Sequence, residues 1–454
     1  MIPKIRSLLR TATPFLLAIS LILISLGCEH LPSAARPDGD IVAPFQIAMI
    51  PDTQNYVDYT HQKVAGFAID ASDQFIAQMT WIAKRGRGQG GTIAFVASVG
   101  DVWQHQSKDI DSAHLARGLG KTEKSFFGKL FAPTPKVFEV EIPKAIEGYA
   151  LIDAAGIPFG VAPGNHDYDA MWNVIGFPPN FAKSRSELTM TPEDLGMLHV
   201  GGLDNFRSVF GDDSKFFDQK DWYVGSFRGG ANSAQIFRAG GYDFLHIALE
   251  MQADDEVIAW VEGILEEYPG IPTLLTTHDY MDGQGRRLAN PIIDLDRVDP
   301  DHHNSAEELF EKLIVPNDQI FLLLCGHEHG QATRVDENAA GHAIYQILAD
   351  YQDRGQSGID AGQPADEMMR RPAGIGDGWF RLLEFDLASE QPMLIVRTFS
   401  THYEIDSRDL DAYADWYRAH EQPNMTDAEF RAADDFVLEL SDFRERFGLP
   451  QPGK

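Results

Sequence analysis

Five points along the chain carry clustered oxygen and imidazole donors: Asp52, Gly100-Asp101, Pro163-Gly164-Asn165-His166-Asp167, Thr277-His278-Asp279 and Gly326-His327-Glu328-His329. Asp, Asn and His side chains suit ions such as Mn, Fe, Zn or Mg, and no thiolate stands among them. Taken singly, each has an ordinary explanation. Asp52 or Asp101 caps a turn, the Gly-Asn-His-Asp run forms one, and His278 is a satisfied core histidine. Their common placement changes the weighing, because each directly follows a short apolar run.

Those runs, at 45–50, 92–99, 157–162, 271–276 and 320–324, are continuous rather than alternating and rich in Ile, Val, Leu and Phe. That is the pattern of strands covered on both faces. Helical periodicity at 70–84, 143–155, 254–267 and 305–314 lies between them, which argues an α/β architecture. In open α/β sheets ligands bind beyond the carboxyl ends of strands, so donors far apart in sequence converge at one edge. A second group of runs, at 235–237, 242–249, 343–349, 379–385 and 393–399, has hairpin spacing, with Gly240-Gly241 as a turn. This implies a mixed or double sheet. The tail over 426–447 has the period of an acidic amphipathic helix, preceded by another at 410–419, and both are expected to pack on the surface.

The five motifs, in this order, resemble those of the calcineurin-like metallophosphoesterases: Asp-x-His, Gly-Asp, Gly-Asn-His-Asp/Glu, a lone His, and Gly-His-x-His. The resemblance spans about residues 45–401 and is sharpest at Gly164 to Asp167 and Gly326 to His329. It implies a four-layer α/β sandwich of two mixed β-sheets flanked by helices, holding two divalent or trivalent metal ions. By motif, Asp52, Gln54, Asp101 and His329 would surround one ion and Asp101, Asn165, His278 and His327 the other, with Asp101 bridging. Two such cations lower the pKa of a shared water and neutralise phosphoryl oxygens during in-line displacement. The implied reaction is hydrolysis of a phosphomonoester or phosphodiester by a metal-bridging hydroxide. His166 would give a proton to the leaving oxygen, and Asp167 would hydrogen-bond its other ring nitrogen.

One residue departs from the pattern. Gln54 stands where the family usually has His, as in some extracellular relatives with a similar Pro51-Asp52-Thr53-Gln54 form. An amide ligates only through its oxygen, so the first ion would bind more weakly or be a more oxygen-loving one; positioning substrate or water is the other role open to Gln54. Two other functions stay open: a metal-dependent hydrolase of another ester or amide bond, and a surface binding protein that keeps the fold. The Gly-Asn-His-Asp motif argues against the first, and Gln54 is the support for the second.

Around these motifs, Trp103 and His105 are candidates for a pocket mouth, with core packing and plain exposure as the competing readings. Residues 105–145 carry seven Lys and Arg against five Asp and Glu, which would attract a phosphorylated substrate or form a solvated face. Residues 280–304 form a polar insertion directly after His278, placed as a lid or specificity loop. Within it His302-His303 could supply a further ligand, although exposed loop histidines explain them as well.

The 454 residues, with 28 Phe and 7 Trp, describe a folded protein with a packed core. Net charge is -30. Long nucleic acid is therefore a disfavoured partner, while a local cationic site still holds one phosphate. Lys4, Arg6 and Arg10 precede an uncharged run from Thr11 to Cys28, the pattern of an export signal. Gly27-Cys28 resembles in part a lipoprotein signal; a lipid anchor on Cys28, an ordinary cleaved signal and a short uncleaved anchor all remain open. The other cysteine, Cys325, reads as a small buried hydrophobe. The expected organisation is thus a targeting segment at 1–28, a linker at 29–44, a catalytic domain at 45–405 with insertions near 105–145 and 280–304, and a helical extension at 406–454. The expected location is periplasmic or extracellular, and oligomeric state is left undetermined.

Overall fold

The apolar runs form strands, and the polar residues after them mark where each strand leaves its sheet. The structure, a computed structural model, describes residues 42–58, 69–184, 187–363 and 375–450, all within the unit Asp38–Lys454. The segment expected to be an export signal, with Cys28, and the expected linker up to residue 41 lie outside the described residues.

In chain order, β1 (Phe45–Ile50), a turn of helix α1 (Gln54–Val57), α2 (Ser72–Lys84), β2 (Ile93–Ser98), α3 (Ile142–Ala154) and β3 (Phe159–Val161) open the fold. A hairpin of β4 (Ala170–Asn173) and β5 (Leu198–Gly201) follows, then the meander β6 (Tyr223–Phe227), β7 (Asn232–Ala239) and β8 (Tyr242–Ala248). Next come α4 (Asp255–Glu267), β9 (Thr273–Thr276), β10 (Ile320–Cys325), β11 (Gly330–Glu337), β12 (Ala343–Asp350), β13 (Trp379–Asp386) and β14 (Met393–Ser400). The chain ends with β15 (Ile405–Asp406), α5 (Tyr413–Glu421), α6 (Asp427–Asp434), β16 (Phe436–Glu439) and α7 (Phe443–Phe447).

Two seven-stranded mixed sheets result. One runs β15-β14-β13-β1-β2-β3, with β16 also on β14; the other runs β11-β12-β10-β9-β8-β7-β6. β1, β2 and β3 are parallel, as are β8, β9, β10 and β12. The two sheets pack face to face. Ile47 and Met49 of β1 share a core with Tyr345, Ile347 and Ala349 of β12, while Ala48 and Ile50 face the layer of α2 and α3. On the outer side of the second sheet, Ile344 and Leu348 join Val257 and Val261 of α4. Helices, sheet, sheet and helices thus form the four expected layers. Phe45 meets Phe244 of the opposite sheet at 5.3 Å between ring centroids, and Phe95 stacks on Phe237 at 4.5 Å. Each such buried ring is worth about 1.5–3 kcal/mol, and polar ties add to them, as where Tyr345 of β12 donates its hydroxyl to Glu439 O of β16 at 2.6 Å.

Local signals set the element ends. Asp254 caps α4 by accepting from the Glu256 and Val257 amides, both at 3.1 Å. Gly240 and Gly241, at φ 58 and 86, make the β7–β8 turn that needs two left-handed residues. The tail departs from expectation. Instead of one helix over 426–447 it is α6, β16 and α7, because Phe436-Val437-Leu438-Glu439 alternates half-buried and exposed residues and pairs antiparallel with the free edge of β14. Nor does the tail merely cover the surface, since Phe430 and Phe443 are fully buried in the inter-sheet core. No helix among the described residues is long and apolar enough to cross a membrane.

Candidate metal centre

The five motifs leave the carboxyl ends of β1, β2, β3, β9 and β10 and meet where the edges of the two sheets face each other. Backbone hydrogen bonds lace the loops together: Thr53 N donates to Asp101 O at 3.0 Å and Gly326 N to His278 O at 2.9 Å. The approach is close enough to require glycine. A Cβ on Gly100, which has φ 112, would lie 2.6 Å from Gly164 N and 2.9 Å from His278 Nδ1; one on Gly326 would lie 2.5 Å from Asp52 Oδ1. Asp101 itself is held at φ 49 and His327 at φ 69, left-handed conformations that few residues other than glycine adopt.

The donors form one group. Asp101, His278 and His327 present ligand atoms all within 4.8 Å of one another. His278 donates Nδ1–H to Val99 O at 2.8 Å, which fixes its tautomer and turns Nε2 toward Asn165 Oδ1 at 3.1 Å, Asp101 Oδ1 at 3.3 Å and Asp52 Oδ2 at 3.9 Å. His327 Nδ1 lies 3.2 Å from the same Nε2. Gln54 donates through Nε2 to Asp101 Oδ2 at 3.2 Å and Gln352 Oε1 at 2.9 Å. His329 stands to one side, its Nδ1 2.7 Å from Asp353 Oδ2 and its Nε2 3.8 Å from Asp350 Oδ2. All seven residues expected as ligands are therefore at this edge, in two connected groups joined through Gln54 and Gln352.

Whether these residues fit metal ions is answered by their unsatisfied atoms. Asp52 Oδ2, Gln54 Oε1 and His327 Nε2 are buried without a hydrogen-bond partner, whereas almost every buried polar atom in a native protein has one. Two cations would satisfy them, one at Asp52 and Gln54 and the other at His327. The charges agree: burial and then Asp350 repulsion push the Asp52 carboxyl well above its ordinary range. Burial opposes a charged His278, yet Asp101 and Asp52 outweigh it and raise the imidazole to about 10. His329 is likewise raised to about 10, against burial, by Asp353 and Asp350. An enclosed edge this rich in carboxylates calls for positive charge.

His166 donates Nδ1–H to Gln104 O at 2.6 Å, and its backbone N–H donates to Asp101 Oδ1 at 2.8 Å. The expected contact with Asp167 is therefore corrected. The Asp167 carboxylate points away from the imidazole and accepts from Gly164 N at 2.8 Å and Val102 N at 2.9 Å, clamping the loops after β2 and β3 to each other. A backbone carbonyl, not Asp167, sets the His166 tautomer and leaves Nε2 available to the cleft.

That cleft measures 540 Å³ and is lined by Gln54, Asp101, Asn165, His166, His327 and His329, a size suited to a small ligand. Both insertions supply its apolar wall, Phe127, Leu130 and Phe131 from the first and Ile292 and Ile293 from the second. Phe131 meets the His166 ring edge-on at 6.0 Å. Asn290 Nδ2 donates to Glu328 Oε1 at 2.7 Å, tying the second insertion to the Gly-His-Glu-His loop. Trp103 and His105 are buried away from the mouth: Trp103 packs on Phe206 and Phe210, and His105 Nδ1 bonds Glu141 Oε1 at 2.6 Å. Several cations of the first insertion are paired, Lys108 with Asp169 at 3.1 Å and Arg117 with Asp299 at 2.8 Å. Asp350, Gln352 and Asp353 were not anticipated from sequence, although they follow a strand as the other donors do.

No family model matches the chain. It is 26% identical over 259 residues to the uncharacterized protein YvnB of Bacillus subtilis, which covers 56% of this chain but 15% of that protein. The chain thus spans less than a sixth of that relative's length. Among solved structures it is similar to a dimetal phosphatase from Danio rerio at 12% identity and a TM-score of 0.32, covering 79% of this chain and 96% of the other.

Proposed function

We propose that this protein is a metal-dependent phosphoesterase that hydrolyses a phosphomonoester or phosphodiester. The observation that carries the reading is the cluster of buried unpartnered donor atoms on Asp52, Gln54 and His327, set around the His278 and Asp101 pair beside a cleft that Gln54, Asp101 and His327 line. Asp52, Gln54, Asp101 and His329 would hold one ion and Asp101, Asn165, His278 and His327 the other. Such ions, when bound, neutralise phosphoryl oxygens and acidify the attacking water. The chain's own groups do the rest. His278 is locked by the Val99 carbonyl so that one imidazole nitrogen is always offered inward. The Gln104 carbonyl fixes the His166 ring by accepting from Nδ1 and aims Nε2 at the cleft; in the imidazolium form Nε2–H would be the proton given to the leaving oxygen. The phenylalanines and isoleucines of the two insertions orient an apolar leaving group and exclude water. Lys4, Arg6 and Arg10 before the uncharged run from Thr11 to Cys28 are the support for export, with periplasmic or extracellular action on a small phosphorylated substrate.

The test is metal analysis with turnover of aryl phosphate monoesters and diesters by the purified protein. Asp101→Asn is expected to lower both metal content and rate, the rate by more than about 100-fold. His166→Ala should lose about 100-fold to 10,000-fold on a poor leaving group and much less on an activated aryl ester. A metal-replete protein that turns over neither ester would transfer the site to a binding role.

A further inference from the structure

A second constellation lies outside the cleft. His199, on β5, is fully buried; its Nδ1–H donates to Val200 O at 2.7 Å, and its Nε2 has no partner. That Nε2 lies 3.8 Å from Asp299 Oδ2. His303 donates Nδ1–H to Gln252 O at 3.3 Å, so its Nε2 is also the unprotonated nitrogen, and ligand atoms of His199, Asp299 and His303 all fall within 4.8 Å of one another. Two imidazoles whose outer nitrogens are pinned on backbone carbonyls, facing one carboxylate, form a ligand set with its tautomers already fixed. Two ligand atoms on one tetrahedral zinc stand about 3.3–3.5 Å apart, so closure requires side-chain shifts of about 1 Å.

We propose that His199, Asp299 and His303 form a three-ligand transition-metal site, selective for zinc or a similar borderline ion, distinct from the cleft. Two imidazoles beside one carboxylate favour such an ion over a hard cation, which prefers an all-oxygen shell. A neighbouring 250 Å³ depression lined by His303, His114 and Arg117 gives solvent access for a fourth ligand. Burial holds His199 down to about 3 and His303 to about 4, so both are neutral, as ligation needs, and neither serves Asp299 as a cation. Arg117 does serve it, with Nη1 at 2.8 Å from Oδ2, and is the competitor that a bound ion would displace or share. The site has a positional consequence. Asp299 and His303 belong to the insertion after His278, while His199 is adjacent to Leu198, whose N–H donates to Ile292 O at 2.6 Å. Leu198 and Ile292 both line the cleft, so an ion here would staple the insertion to β5 and set the cleft wall.

Equilibrium dialysis of the full chain against zinc, with circular dichroism to verify folding, tests this. His303→Gln and Asp299→Asn are each expected to bind one zinc fewer than wild type, whereas Arg117→Gln keeps it. Asp101→Asn, which weakens the cleft alone, should retain that one zinc and its stabilisation against heat. Equal zinc content in wild type, His303→Gln and Asp299→Asn would overturn the proposal, as would an Asp101→Asn protein that binds none. Because the readout is zinc content, it does not depend on the cleft being a phosphoesterase.

Discussion

Gln54 is the residue at which the site departs from its expected ligand set, and its surroundings say what it can do. Its Nε2 is fixed between two acceptors, Asp101 Oδ2 and Gln352 Oε1, which leaves Oε1 buried and without a donor. The oxygen is thus the atom left for a ligand bond, and an uncharged oxygen is the only ligand an amide offers. Gln54→Leu, near in volume, is expected to weaken binding of one ion by about 10-fold or more, and Gln54→His to tighten it. Manganese dialysis checks this, and a Gln54→Leu protein with wild-type occupancy and rate would remove Gln54 from the ligand set. Asp167 behaves differently. Because it bonds backbone amides of two loops and not the His166 ring, Asp167→Asn should disturb loop geometry and metal content while leaving the ratio of rates on poor and activated leaving groups unchanged. A loss confined to poor leaving groups, at wild-type metal content, would restore a direct role beside His166.

At the scale of elements, the site is a set of loops packed backbone against backbone, and the glycines carry that packing. A Cβ on Gly164 would collide with Asp101 Oδ1 and come within 2.8 Å of His278 Cε1, two atoms of the candidate metal centre. Gly164→Ala is therefore expected to cost about 1–3 kcal/mol in urea unfolding and to lower metal content far more than that loss of stability explains. Unchanged metal content would show that the loops part freely. These loops were legible in sequence because a strand covered on both faces reads as an unbroken apolar run, and the donors sit within a few residues of its end. The loop after β12 obeys the same rule, but Asp350-Tyr351-Gln352-Asp353 carries neither the glycine nor the histidine that drew attention elsewhere. The role of Asp167 was not legible, because its partners are amides whose directions depend on how two loops fold. The strand β16 was hidden for a related reason. Four residues in a charged tail, Phe436-Val437-Leu438-Glu439, are too short to read as a strand until the edge of β14 is there to accept them.

For the whole molecule, the question is why a sandwich of two mixed sheets flanked by helices should need the segment after β15, and Arg354 answers it. Arg354 follows the loop that holds Asp350, Gln352 and Asp353, is fully buried, and reaches Glu421 Oε2 at 2.7 Å and Asp434 Oδ2 at 3.0 Å, with Tyr413 and Gln331 also bonded. Glu421 ends α5 and Asp434 ends α6, so the tail grips the loop whose Asp353 bonds His329. Removing one partner from a buried ion network strands the others, at about 3–5 kcal/mol. Arg354→Met should lower stability by that amount and reduce ion binding through His329. Its pH dependence has a definite sign. Burial raises the Glu421 carboxyl above its ordinary value even though Arg354 opposes the shift. The folded protein therefore binds more protons at Glu421 than the unfolded chain does, and stability falls as pH rises from the ordinary glutamate range, about 4.3, toward the folded value. Without Arg354 the folded value climbs further. The stability difference between Arg354→Met and wild type should accordingly widen from pH 5 to pH 8, as urea titrations at the two pH values would record. A difference that stayed constant, or narrowed, would mean that water reaches Glu421 and that the tail does not seal the loop.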